Sequence, residues 1–280
     1  MKRILLILTS FAVIIACNKE LSSSDFQEPQ EIVINIDGTQ IEADVTTKTT
    51  AVSSLPSKLY FAGTTGTNTS QTSKWTSVEK TISSNKISTG YYQTATATAY
   101  NYYLSNCAMT FSASGHTITA DGTSLDVIAG VAKSNTSATP SVTLNHVFAR
   151  TGTLSATCSG YTLSNLSYKL KTNGTNTGTK GTYNIYTGAW SSTTTLSEQT
   201  ITNSSDLYLI PGSYTLTISG TRSKGDFSKS FTGSVPVTLV GGKINNISAT
   251  ITGGDQATEI IISTSLTAWG TTTLNPSISL

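Results

Sequence analysis

The chain has 280 residues, a formal charge of +2, 11% charged residues and 37% hydrophobic ones. Without Lys2 and Arg3, which sit in a leader-like start, fifteen cations face fifteen anions, a balance that excludes the basic footprint of nucleic-acid binding. Ser and Thr make up about a third of the residues, but apolar residues recur in alternating runs and proline is scarce, which excludes a mucin-like stalk and points to β structure.

The chain opens with Lys2-Arg3 and an apolar run from Ile4 to Ile15, broken only by Thr9 and Ser10. That run is too short for a membrane span, which needs roughly 20 apolar residues, and has the form of a secretory leader. It ends Ile14-Ile15-Ala16-Cys17, which resembles the lipobox of bacterial lipoproteins. The resemblance implies that 1–16 is a lipoprotein signal peptide cut before Cys17. Acyl chains on Cys17 would then hold the mature protein outside the cytoplasm without a transmembrane helix. Residues 17–30 are polar, with Ser22-Ser23-Ser24 and Pro29, and read as a tether.

Glu31 to Val45 carries the first strand pattern. Ile32, Ile34 and Ile36 share a face, Asp37-Gly38 turns, and Ile41, Ala43 and Val45 continue. Thr46 to Ser54 is small and polar with one cation, Lys48, and reads as a loop open to proteolysis. Leu59 to Ala62 is a strand, and Trp75 to Ile87 fits either a strand or a short helix. Tyr100, Tyr102 and Leu104 share a parity. Thr117 to Val131 reads as a hairpin turning at Asp121-Gly122. Ser134 to Pro140 is small and polar, and suggests a boundary between an N-terminal domain at 31–140 and a C-terminal domain at 141–280.

In the second segment, Ser141 to Ser155 and Tyr161 to Leu170 read as strands. Leu207 to Ile210 is a compact apolar run ended by Pro211-Gly212. Tyr214/Leu216/Ile218, Val235/Val237/Leu239 and Ile247/Ala249/Ile251 alternate with polar residues, and Gly253-Gly254 closes the last hairpin. Glu259 to Trp269 follows, then Leu274, Ile278 and Leu280. No long stretch repeats at 3.6 residues. The expected fold is all-β, with two tandem antiparallel β-sandwich domains.

Chemistry is sparsely provided. The two histidines are His116, in an exposed-looking turn, and His146, in an apolar strand where a hydrogen-bonded structural role fits best. Asp121, Asp226 and Asp255 adjoin glycines and read as turn residues. There is no zinc spacing, GxSxG elbow, P-loop or dinucleotide fingerprint, so neither enzyme nor cofactor nor metal site is expected. Cys107 and Cys158 are either a disulfide or two unpaired thiols. Trp75, Trp190 and Trp269 could stack on sugar rings or fill cores. Packing is the favoured reading, and Trp190, beside Gly188 and Ser191-Ser192, looks the most exposed.

Several stretches together resemble the fimbrillins of anaerobic Gram-negative bacteria, including the Mfa-like branch. They are Asp126 to Ala132, the run SVTLNHVFAR from Ser141 to Arg150, the run DLYLIPGSYTLT from Asp206 to Thr217, and Ile260 to Trp269. The resemblance implies two transthyretin-like sandwiches, export as a lipoprotein to the outer membrane, and a structural role in a surface pilus as stalk, anchor or tip. It also implies removal of the first strand by a protease and its replacement by a strand of a neighbouring pilin subunit. Where an Arg-specific cut would be expected, this chain offers Lys48. Leu274, Ile278 and Leu280 mark a donor strand at Thr271 to Leu280. A surface glycan-binding lipoprotein is the alternative function.

Overall fold

The computed structural model describes residues 28–38, 54–67, 69–93, 98–173, 177–203, 207–252 and 259–268. The leader, the tether up to residue 27, Cys17, Lys48, Trp269 and Leu274, Ile278 and Leu280 lie outside them. Among the described residues all regular structure is strand. The first ten strands are β1 (Gln30–Asp37), β2 (Lys58–Thr65), β3 (Thr72–Thr81), β4 (Lys86–Gln93), β5 (Tyr100–Ser105), β6 (Thr110–Ser112), β7 (Gly115–Asp121), β8 (Ile128–Asn135), β9 (Ser141–Thr143) and β10 (Asn145–His146). Then come β11 (Ala149–Cys158), β12 (Thr162–Thr172), β13 (Lys180–Asn184), β14 (Trp190–Ser191), β15 (Gln199–Ile201), β16 (Tyr208–Leu209), β17 (Gly212–Lys224), β18 (Phe227–Leu239), β19 (Lys243–Thr252) and β20 (Glu259–Ala268).

They form five sheets, with strand orders β4-β1-β9, β10-β8-β5-β2-β3, β14-β13-β7-β6, β16-β11-β19-β20 and β15-β12-β17-β18. The first two face one another across a core of Ile32, Ile34, Phe61, Ile87, Leu104 and Val142. The last two enclose Leu170, Leu209, Tyr214, Leu216, Ile247 and Ala249. Pairing is mostly antiparallel, as expected, but β1 runs parallel to β9 and β11 parallel to β19. The alternation in β17 matches its burial: Tyr214, Leu216 and Ile218 are wholly buried while Thr215 and Thr217 are not. Pro236 lies in β18, at the edge of its sheet, where a missing donor is tolerated. Trp75 belongs to strand β3, so the stretch left between strand and helix is extended. Its indole lies over Gly63, where a Cβ would come within 2.1 Å of the ring.

The fifth sheet, β14-β13-β7-β6, draws strands from both segments of the chain. β7 pairs with β13 from Thr117↔Asn184 to Asp121↔Lys180, and Lys180 Nζ reaches Asp121 Oδ2 at 2.7 Å. This sheet covers the outer face of the β10-β8-β5-β2-β3 sheet through a third core that includes Tyr103, Ile118, Val127, Phe148, Ile185 and Tyr208. The central sheet therefore buries both faces. That is why Phe61 and Ala62, or Tyr102 and Tyr103, are neighbours in sequence and buried on opposite sides. The expected hairpin over Thr117 to Val131 does not form, because β7 and β8 enter different sheets. Asp121 instead closes a turn, accepting Thr123 N–H at 3.0 Å. Cys107 packs at the third core and Cys158 in the second sandwich, and they do not bond. Burial, then the nearby Asp126 carboxylate, pushes the Cys107 thiol up to about 11, which leaves it a poor nucleophile.

Candidate functional site

Three places in the fold combine position with chemistry. The first is β1. A strand near the start of a chain is commonly an edge, but β1 lies inside its sheet, antiparallel to β4 and parallel to β9. Both edges are in use: toward β9, Asn35 N–H donates to Pro140 O at 2.8 Å, Val33 N–H to Ala138 O at 2.8 Å and Leu144 N–H to Asp37 O at 2.9 Å, and toward β4, Ile36 N–H donates to Asn85 O at 2.9 Å. Ile32 and Ile34 are fully buried and Ile36 nearly so. At its start the Glu31 carboxylate accepts the Ser88 hydroxyl and the Gly90 N–H, which hold its carboxyl below the usual carboxylate range. The next strand among the described residues is β2, in the facing sheet. The expected continuation through Ile41, Ala43 and Val45 falls outside the described residues.

The second place is the junction of the first sandwich with the bridging sheet. His146 Nδ1 lies 2.9 Å from Asp126 Oδ2 and 3.1 Å from Oδ1, and both side chains are wholly buried. His146 pairs with Ile128 in the β10–β8 ladder, so the two residues face each other across the start of β8. Asn106 completes the joint: its amide donates to Asp126 O at 2.8 Å and its carbonyl accepts Ile128 N–H at 3.0 Å. The structural, hydrogen-bonded role read for His146 holds. Its partner is not legible in the sequence, because twenty residues of chain separate the two. No group of three or more His, Cys, Asp or Glu suited to a metal occurs among the described residues.

The third place is a groove of about 550 Å³ between β10, the bridging sheet and the β18–β19 turn, lined in part by Asn145, Tyr183, Trp190, Pro211 and Lys243. Trp190 is half-buried, with ring centroids 5.0 Å from Phe148 and 5.1 Å from Tyr183. Trp75 lies far off in the first core, among Phe61, Tyr91, Tyr100 and Tyr102. The two described tryptophans thus form no common platform.

His116 corrects another expectation: it is 1% exposed, not in an open turn. Its ring meets Tyr103 and Phe111 edge-on at 5.0 and 5.7 Å, and neither ring nitrogen has a hydrogen-bond partner among the described residues. Burial pulls its pKa from 6.5 to about 4. The unfolded chain therefore takes up a proton below about pH 6.5 that the folded chain refuses until about pH 4. Stability falls as pH drops through that window, by up to about 3 kcal/mol from this residue, and levels off below it. Urea unfolding of His116→Phe across pH 7 to 4 will show a shallower fall than the parent, and parallel curves would refute the assignment.

No family profile matches the sequence, and no curated protein does. Solved structures do. A candidate cell adhesion protein from Bacteroides uniformis superposes with a TM-score of 0.50 at 14% identity, over 85% of this chain and 98% of that one. One from Parabacteroides distasonis gives 0.50 at 10% identity, over 86% and 96%. A fimbrial protein from Bacteroides vulgatus gives 0.49 at 12% identity, over 86% and 100%. At these identities the likeness is one of fold: the chain shares an all-β, multi-sheet architecture with the first two along most of its length.

Proposed function

We propose that the protein is a structural subunit of a surface pilus, exported as a lipoprotein, anchored through Cys17 and assembled by strand exchange. The position of β1 carries the reading. It is the first described strand of the chain and an interior strand of its sheet, so a single cut before β2 frees it without severing any other described strand. Its loss would expose the backbone edges of β4 and β9 and a trough once filled by three isoleucines. Such an edge is sticky, and an added extended strand answers it with backbone hydrogen bonds and alternating side chains. The fold supports the reading too, since two structures that share it are named for cell adhesion. The bridging sheet suits a load-bearing unit because it couples both sandwiches through one core.

The cut is proposed for the loop at 46–54, at Lys48. The donor is proposed for Thr271 to Leu280, with Leu274, Ile278 and Leu280 filling the trough. Glu259 to Ala268 is unsuited, because β20 already pairs with β19 along its whole length. Polymers isolated from cells decide the matter. Deleting residues 271–280 will leave folded subunits that form no detergent-resistant ladder, and Cys17→Ser will release the protein from the membrane fraction or stall its processing. Ladders that persist after the deletion would refute the donor. Unchanged fractionation and processing of the Cys17 variant would refute the anchor.

A further inference from the structure

We propose that the groove beside Trp190 binds a saccharide that carries a carboxylate. The groove's volume of about 550 Å³ is that of a small-molecule site, for which roughly 300–1,000 Å³ is usual. Its shape comes from backbone as much as from side chains. Gly188 and Gly242 take positive φ of 73° and 64°, so two tight turns border the groove without side chains to fill it. Gly242 N–H donates to Phe148 O at 2.8 Å, which fixes the β18–β19 turn against the bend between β10 and β11 that carries Phe148. The walls are therefore formed before any ligand arrives.

The lining has the chemistry of sugar recognition. Trp190 offers a partly exposed indole already held by Phe148 and Tyr183, so presenting it costs little side-chain entropy. An indole is a flat apolar surface with a polar edge, and a pyranose face of C–H groups stacks on such a surface. Around it stand the exposed Asn145 amide, the Tyr183 hydroxyl and the Lys243 ammonium, which can donate to ring hydroxyls. The His146 imidazole does not take part, because its side chain is buried and turned to Asp126.

Charge narrows the class. Among the described residues Lys243 is the one cationic residue of the lining, and no Asp or Glu lines the groove. Among the described residues no ion pair ties Lys243 to a carboxylate. A ligand carboxylate would find an unopposed cation beside the indole, whereas a cationic ligand would meet repulsion with nothing to offset it. A sialylated or a uronic-acid glycan would satisfy this chemistry equally, and both are neutral-ringed, carboxylate-bearing sugars. The inference deepens the adhesive side of the function proposed above and rests on that reading for its purpose. The binding itself requires no assembly.

Titration calorimetry on the full mature chain, kept monomeric, tests it with sialyllactose, trigalacturonate and lactose. At least one acidic sugar will bind about tenfold or more tightly than lactose, and which one binds names the source. Lys243→Gln will reduce that affinity to the level of lactose. Trp190→Ala will weaken acidic sugar and lactose alike, and Trp190→Phe will retain part of the binding. Melting curves check that each variant is folded. If Trp190→Ala does not fold, Lys243→Gln decides alone. No heat with any of the sugars, lactose bound as well as the acidic sugars, or Lys243→Gln binding like the parent would each overturn the proposal. Because the protein is kept monomeric in this measurement, failure here leaves strand exchange standing, and loss of polymers in cells would leave this site standing.

Discussion

Ile34→Asp will cost the folded protein more than about 4 kcal/mol, the largest loss expected from any single substitution in β1. Ile34 is wholly buried and pairs directly with Ile87, itself wholly buried, while Ile32 and Ile36 flank it on the same face. A carboxylate there would lose its water with no donor in reach, since the wall opposite is Phe61, Leu104 and other apolar groups. Simple truncation, Ile34→Ala, removes burial and leaves a cavity, and should cost about 2–5 kcal/mol. Val33→Thr, on the less buried face of the same strand, should cost little. Urea unfolding of the three variants separates these outcomes. A loss below about 1 kcal/mol for Ile34→Asp would mean that β1 is not a working part of the core. The large value also bears on assembly. A strand that contributes this much when present leaves an equally strong demand for a replacement when removed, so a donor that fills the trough should be held tightly.

Asp126→Ala will cost about 3 kcal/mol or more, out of proportion to the size of the group removed. The penalty arises from what remains: His146 would stay buried at the same joint, facing a cavity in place of its partner. A double-mutant cycle with His146→Phe isolates the coupling. The double variant should be more stable than the sum of the two single losses predicts, because an apolar ring beside a methyl leaves no stranded polar pair. Strict additivity would refute the coupling. The joint ties the start of β8 to β10, where the central sheet meets the third core. Loss of the pair should therefore loosen the contact between the first sandwich and the bridging sheet before it disturbs the second sandwich, and hydrogen exchange at Val127 to Ala129 would report it.

Local pattern carried a large part of the architecture. Alternating runs such as Tyr214/Leu216/Ile218 and Ile32/Ile34/Ile36 mark strands with one buried face, and the structure buries those residues. Glycine and aspartate turns were legible for the same reason: their backbone preferences act within two or three residues. Where the reading went astray, the deciding neighbour was distant. Thr117 to Val131 has every local mark of a hairpin, yet β7 finds its partner at Lys180 to Asn184, some sixty residues on. His116 follows a glycine and so reads as exposed, but it sits in β7, whose sheet packs on the central sheet and turns the imidazole against Tyr103 of β5. The groove at Trp190 is assembled from β10, the β13–β14 region and the β18–β19 turn, pieces nearly a hundred residues apart, and no local signal joins them.

From the sequence alone come the all-β class, the resemblance of the run ending at Cys17 to a lipobox and the apolar face of β1, because each depends on the order of neighbouring side chains. Only the tertiary structure decided that β1 is an interior strand, that Asp126 and His146 meet, and that a fifth sheet binds the two sandwiches together. Those outcomes depend on which backbone edges pair across long stretches of chain. Strand edges all present the same donors and acceptors, so the choice among them is made by how whole faces pack, and a one-dimensional pattern does not encode it.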